Sequence, residues 1–369
     1  MQQSFGKFRV VRKFVRWSVE SRDRVADHPI AYTSGERLAD AAAGGMVRSL
    51  GRGDERVSVH RNGRDEIARS CALPVLLALL FVAAQAQGGE IEPRTYVNTP
   101  VGINFLLAGY AYSDGSLSTP GSSPIKDARL EIHSGILAYA RSLDVWGKSG
   151  KFDVILPYSR LSGNAMVDGQ PRERDVSGFN DPRFRFSVNF YGAPALSLQE
   201  FADYRQDVIV GASVQVSAPL GQYDKDRLVN LGNHRWFVKP DIGISKAWGA
   251  LTLEFSGGVF LFSKNDDYFG GRTLEQDPLY TTQVHATYNL GGGVWCALSA
   301  TNDFGGRTTI DGERSDDSEN DWRVGATLAL PVNRNNSIKI FASSGVHTIT
   351  GIDYDLVGVV WQYRWGNRL

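Results

Sequence analysis

The sequence predicts an all-β protein: a transmembrane antiparallel β-barrel of about 12 strands, with short periplasmic turns and long extracellular loops. Three observations predict it. From Val101 onward, segments of about ten residues alternate apolar and polar side chains, the length and period of a tilted spanning strand. The connections between these segments are alternately long and short. An export-type apolar segment precedes them, and no later segment reaches the roughly eighteen consecutive apolar residues of a spanning helix.

Composition fits a chain in which half of each strand meets something polar. Hydrophobic residues make up 42% of the 369, aromatics 11%, and there are 40 glycines. The zero net charge hides an asymmetry: residues 1–69 carry +5, residues 70–86 none and residues 87–369 carry −5. No basic patch interleaved with aromatics occurs, which argues against nucleic acid as a partner. Cys71 lies in the apolar segment and Cys296 in a strand, with no zinc-site spacing, so neither a disulfide, a metal nor another cofactor is expected.

The export signal is read at 61–86. Arg61, Arg64 and Arg69 form its positive flank, Cys71 to Ala84 its apolar stretch, and Ala84-Gln85-Ala86 offers small residues for cleavage after Ala86. The apolar stretch is too short for a spanning helix, which needs about twenty residues. Residues 1–60 are Arg-rich and lack sustained periodicity, and are read as a spurious or disordered extension. Residues 87–369 are then the barrel.

The strands follow in order at 103–113, 128–141, 150–159, 180–191, 206–218, 235–246, 250–263, 279–289, 293–303, 321–331, 337–348 and 355–366. Val208, Val210, Ala212, Val214 and Val216 alternate with Gly211, Ser213, Gln215 and Ser217, with Ile209 the one large apolar residue out of phase. Phe184, Phe186, Val188 and Phe190 alternate with Arg183, Arg185, Ser187 and Asn189. Long polar connections follow the odd strands (114–127, 160–179, 219–234, 264–278, 304–320) and short ones most even strands. The stretch 192–205 is longer and could hold a short helix. An even strand number puts both barrel ends in the periplasm. Tyr110, Tyr112, Tyr158, Tyr191, Trp236, Tyr280, Tyr288 and Trp322 supply interfacial girdles.

Several stretches carry a resemblance. VGINFLLAGYAYSDG (101–115), GFNDPRFRFSVNFYGAPALSLQEFADYRQD (178–207), VSAPLGQYDKDRLVNLGNHRWFVKPDIGISKA (216–247), NDDYFGGRTLEQDPLY (265–280), GATLALPVNRNNSIKI (325–340) and LVGVVWQYRWG (356–366) are colinear. Over about Glu92 to Gly366 the chain resembles the family of outer-membrane transporters linked by name to the meta-pathway of phenol degradation. The resemblance implies a barrel in the outer membrane of a Gram-negative bacterium after Sec-type export. It also implies a role in passage of small organic, including aromatic, molecules. Its partners would be outer-membrane lipid, the barrel-assembly machinery and the solute.

If the apolar phase faces lipid, Glu131, Asp153, Arg183, Arg185, Lys239, Asp241, Glu254, Arg323 and Lys339 face the lumen and are the selectivity candidates, with His133, Arg141 and Arg364 on the same face. They set selectivity or simply pair with one another. Phe269-Gly270-Gly271-Arg272-Thr273 is echoed by Phe304-Gly305-Gly306-Arg307-Thr308. Arg272 and Arg307 are therefore candidates for an extracellular mouth that meets anions, the alternative being two similar loop turns. An outer-membrane lipid hydrolase would need a Ser with a His base. His133, His234, His285 and His347 lack the His-Asp-Ser-Asn-Gly context of that family, so the protein is read as a non-enzyme. The rival to transport is a structural or surface-interaction barrel.

Overall fold

The computed structural model describes residues 92–118, 125–167, 170–227, 229–348 and 351–366. The extension expected at 1–60 and the export signal expected at 61–86 lie outside the described residues. Seventeen strands are named in chain order. They are β1 (Ile103–Ser118), β2 (Ile125–Val145), β3 (Lys148–Val167), β4 (Gln170–Phe179), β5 (Arg183–Tyr191), β6 (Val208–Ser217), β7 (Phe237–Trp248) and β8 (Leu251–Phe262). β9 (Asn265–Tyr268), β10 (Arg272–Gln276), β11 (Leu279–Gly291), β12 (Val294–Gly305), β13 (Thr308–Ile310) and β14 (Glu313–Arg314) follow. β15 (Glu319–Pro331), β16 (Asn336–His347) and β17 (Gly351–Gly366) complete the chain.

The main sheet closes on itself. Each strand pairs antiparallel with its neighbour in sequence, and β1 pairs with β17 from Ile103↔Gly366 to Ser118↔Gly351. Closure leaves no edge N–H or C=O groups facing hydrocarbon, where each would cost several kcal/mol. β4 and β5 are two pieces of one wall strand: the upper part of β3 pairs with β4 and its lower part with β5. Counted so, the ring has twelve strands, as the sequence predicts.

The break falls at Asn180-Asp181-Pro182. Pro182 has no N–H to give the ladder. Asn180 N–H still donates to the Pro157 carbonyl at 2.9 Å, and Ser159 Oγ donates to Asn180 Oδ1 at 2.8 Å. The wall therefore stays continuous at the break. Asp181 turns away from the ladder and accepts from Gly221 N–H at 2.9 Å and Asn233 N–H at 2.8 Å, tying down the β6–β7 loop.

Two long connections expected as loops are largely strand. Residues 160–167 and 170–179 continue β3 and form β4, and β1 and β2 also run past their expected ends. At about 3.3 Å per residue, the 21 residues of β2 span roughly 70 Å. An apolar belt is about 25 Å tall. The β1–β4 wall therefore rises well above the membrane. The loops after β8 and β12 supply β9, β10, β13 and β14, which form a second, four-stranded sheet with Tyr268, Leu274 and Ile310 at its core.

Periplasmic turns are short at 249–250, 292–293 and 332–335, as expected. The longer 192–207 turn holds a single helical turn, α1 (Leu198–Phe201). Ser197 caps it, its hydroxyl accepting from Glu200 N–H while the Glu200 side chain accepts from Ser197 N–H.

Outside, Phe184, Phe186 and Phe190 of β5, Ile242 and Ile244 of β7 and Leu251, Leu253 and Phe255 of β8 stand exposed in one phase. Inside, Ser187, Asn189, Ser245, Thr252 and Glu254 are buried in the other. A continuous apolar outer belt over a polar inner face is what hydrocarbon outside and a lumen inside select. Tyr191, Trp236, Tyr280, Tyr288 and Trp322 stand exposed at or near strand ends, where the girdles were expected, while Tyr110 and Tyr158 stand exposed in the middle of the longer β1 and β3. Among the described residues no helix is long and apolar enough to cross a membrane.

Candidate functional site

The lumen holds a segment for which the periodicity gives no signal. Residues 92–101, just before β1, run up inside the barrel from the periplasmic rim. The rim anchors are backbone contacts: Val101 N–H to the Leu196 carbonyl at 2.8 Å and Gly102 N–H to the Ser142 carbonyl at 3.1 Å. Ser142 Oγ also donates to the Pro100 carbonyl at 2.5 Å, and Asn98 Nδ2 to the Pro194 carbonyl at 3.2 Å.

Further in, each side chain of this strap has a seat. Tyr96 is 2% exposed and packs with Ile209 and Ala193. Its ring lies on two glycines that face each other across β6 and β7, Gly211 and Gly243. A Cβ at Gly243 would fall 2.2 Å from Tyr96 Cε2, and one at Gly211 2.5 Å from Cδ1, so only glycine leaves room for the ring. The phenol hydroxyl donates to Asp241 Oδ1. Arg94 N–H donates to Glu254 Oε2 at 2.5 Å, and its guanidinium lies 5.0 Å from the Trp295 ring centre. Glu92 Oε2 meets Arg185 Nη1 at 2.5 Å, and Arg185 Nε reaches Asp153 at 3.1 Å, with Lys151 3.6 Å from the same carboxylate.

The predicted lumen residues thus fall into distinct settings. Asp153, Arg185, Asp241 and Glu254 come together around the strap. Lys239, two residues from Asp241, sets its ammonium 5.0 Å from the Phe260 ring centre. Arg323 is higher on β15, its guanidinium 3.4 Å from the Tyr354 ring centre and 2.9 Å from that residue's carbonyl. Arg183 and Lys339 line a cavity described below. Arg364 stays at the periplasmic rim, donating to the Arg334 carbonyl.

Glu131 is a correction. It lies on the outer face of β2, as do His133 and Arg141. Its neighbours Leu130 and Ile132 line the lumen instead. Glu131 sits opposite Asp114, whose carboxylate pairs with Arg129, and His133 Nδ1 lies 2.6 Å from the exposed Tyr110 hydroxyl. The expectation that charge marks the inner face fails on β2 for a physical reason. Its upper part stands above the hydrocarbon, where an outward charge is solvated, while its inner face lines an apolar chamber.

Arg272 and Arg307 do not converge. β10 pairs with β13 through Leu274↔Ile310 and Gln276↔Thr308, which puts the two arginines toward opposite ends of the small sheet. Arg272 Nε donates to the Phe269 carbonyl at 3.0 Å, and Arg307 pairs with Asp316 at 3.6 Å. The echoed motif is two similar turns, each with two glycines at positive φ. Beside the second turn, burial pushes the Asp317 carboxyl up, against the downward pull of the hydrogen bonds it accepts from Thr308.

Above the strap lies a cavity of about 320 Å³, floored by Glu92 and Pro93. Its walls are inner-face residues of β1, β2, β3, β16 and β17, chiefly Leu107, Ile132, Ile136, Leu161, Phe341 and Leu356. Leu231 of the β6–β7 loop reaches in to pack with Leu161 and Val176. One side of the lumen is therefore apolar, and the other, around β5–β8, is charged and covered by the strap. An oily chamber with a few placed polar groups is the usual form of a small-molecule site.

His285 is buried beneath, its Nδ1 2.8 Å from Ser299 Oγ and its Nε2 3.2 Å from Gln283 Oε1. Among the described residues no group of three or more His, Cys, Asp or Glu is placed to hold a metal.

Residues 113–350 match the family described as "Putative MetA-pathway of phenol degradation". The chain belongs to that family. Among solved structures, the fold is similar to the crystal structure of the COG4313 outer membrane channel from Pseudomonas putida F1, with a TM-score of 0.65 and 22% identity. That match covers 75% of this chain and 100% of the other. The transport unit of the autotransporter AIDA-I from Escherichia coli matches with a TM-score of 0.47 and 7% identity over 80% of this chain and 99% of that one. No curated protein sequence matches. The likeness to the Pseudomonas putida channel is one of fold: this member of the phenol-degradation family is an outer-membrane β-barrel.

Sequence reasoning missed the strap and the chamber. Ile209 was the available signal, an apolar residue alone on a polar face, and it packs against Tyr96. The pairing of Gly211 with Gly243 was invisible until the register was known.

Proposed function

We propose that this barrel admits small organic molecules with apolar, including aromatic, bodies across the outer membrane. The apolar chamber above the strap is their station inside the lumen. The observation that carries the reading is the chamber itself. A barrel serving only as a structural wall has no need of an oily, unfilled lumen face roofed by Leu231 and floored by Glu92 and Pro93. Membership of the phenol-degradation family, and the likeness in fold to the Pseudomonas putida outer membrane channel, support it.

In this reading the strap closes the path on the periplasmic side, and passage requires Glu92–Tyr96 to shift. The charged side of the lumen, with Arg185, Asp241 and Glu254, holds the strap closed, while the apolar side receives the solute. Proteoliposomes with lipopolysaccharide in the membrane test it, because that leaflet resists apolar solutes. Faster entry of phenol and benzyl alcohol than into protein-free vesicles is expected. Equal entry into both, by correctly folded protein, would favour a structural role.

A further inference from the structure

Three of the neutral polar groups that line the chamber, Ser134, Ser159 and Asn180, join in one hydrogen-bonded chain. Its direction is fixed proton by proton. Asn180 Nδ2 donates to the Leu231 carbonyl at 3.3 Å, which leaves Asn180 Oδ1 as the acceptor of that amide. Ser159 Oγ donates to this oxygen at 2.8 Å. A hydroxyl has one proton, so across the 2.8 Å between Ser134 Oγ and Ser159 Oγ the donor is Ser134. Ser134 therefore ends the chain with its proton committed and its lone pairs without a donor among the described residues. Bonds in such a chain polarise one another, which strengthens the terminal oxygen as an acceptor.

The setting of that oxygen is apolar. Ser134 opens on the chamber between Ile132 and Ile136 of its own strand. The register places it opposite Ala111 of β1, Ala111 opposite Gly358 of β17, and Gly358 opposite Phe341 of β16. Phe341 lays its ring over Gly358, where any Cβ would collide with it. From Phe341 to Ser134 the wall thus crosses the small side chain of Ala111, over two strand spacings or about 10 Å. A hydrogen bond of about 2.8 Å at one end and ring contact at the other leave room for one six-membered ring that bears a hydroxyl.

We propose that Ser134 is a hydroxyl-recognition site: it accepts the O–H of a neutral phenol or benzylic alcohol whose ring lies on Ala111 against Phe341. The proposal rests on the channel reading and narrows its solutes to those that donate a hydrogen bond. A ring carrying fluorine or an ether in place of the hydroxyl offers Ser134 only further lone pairs. Acceptor then faces acceptor in a place poor in water, and the site discriminates against that ligand.

The test uses the full chain in phospholipid nanodiscs at neutral pH and two ligands of nearly equal shape, para-cresol and para-fluorotoluene, titrated calorimetrically. Ser134→Ala should weaken para-cresol about tenfold, the loss of one hydrogen bond, and leave para-fluorotoluene within about twofold of wild type. Heat-modifiable gel mobility checks the fold of the variant, and its retained binding of para-fluorotoluene checks the chamber. A loss shared equally by the two ligands, or no loss for either, would overturn the proposal and leave the channel reading standing. Binding of neither ligand by the wild type would overturn both.

Discussion

Tyr96 and Gly243 fit each other as ring and slot. The strap's tyrosine lies where any side chain on Gly243 would collide with it, and its hydroxyl is held by Asp241, two residues along the same strand. Gly243→Leu should therefore unseat the strap without breaking the β7 ladder. Burial of an aromatic side chain contributes about 2–3 kcal/mol, and 1.4 kcal/mol is a factor of ten in population. Strap-out states should accordingly rise roughly 30- to 140-fold. Planar-bilayer recording should show larger or more frequent conductance steps. An unchanged trace from folded G243L would mean the strap does not obstruct the lumen.

Arg185 holds Glu92 and Asp153 together. Arg185→Met leaves two carboxylates without their shared partner, and breaking a buried pair of this kind costs on the order of 3–5 kcal/mol. The variant should unfold at a markedly lower temperature in the heat-modifiability assay. Asp153→Asn with Arg185→Met should recover part of the loss, because it removes one stranded charge. Wild-type stability in the single variant would show that the cluster is solvated rather than sealed by the strap.

The two faces of β8 predict opposite outcomes for the same residue type. Leu253 faces lipid, and Leu253→Arg should cost about 2–4 kcal/mol and lower the yield of folded barrel. Ser256, on the lumen side, should tolerate Arg with little loss of folding. Refolding into vesicles followed by urea titration compares them. A tolerated Leu253→Arg would mean the phase of β8 is inverted.

This phase was legible because hydrocarbon outside and a polar lumen inside impose strict alternation on β5–β8 and on β15. It was not legible on β2. There an apolar chamber lies inside, and above the membrane water solvates an outward charge, so Glu131 and Ile132 exchange the faces that polarity alone assigns them. Strand boundaries followed the alternation through the bilayer but missed the continuation of β3 into β4, because above the membrane nothing enforces an apolar face. The strap was illegible for a different reason. Arg94 and Tyr96 make contacts of sequence separation beyond a hundred residues, and Glu92 one nearly as long, which no local period records. Glu131→Ala should accordingly leave ion selectivity unchanged, while Lys339→Ala should shift it toward cations. Reversal potentials in a salt gradient check both, and a shift in E131A alone would contradict the assigned faces.

The export signal expected at 61–86 makes a prediction of its own. Protein recovered from the outer membrane should begin at Gln87, five residues before the strap's Glu92. N-terminal sequencing reads this directly. A chain that retained residues before Gln87 would refute cleavage after Ala86.

The central claim is that solute passes through the chamber, and filling the chamber tests it most directly. Ala138 lines its deep wall between Leu107 and Ile155. Ala138→Trp places an indole where the solute would lie and leaves the outer face of β2 unaltered. Uptake of a radiolabelled aromatic solute by intact cells should fall to the level of cells lacking the protein, at equal amounts of folded barrel in the outer membrane. Uptake by A138W at the wild-type rate would contradict the account.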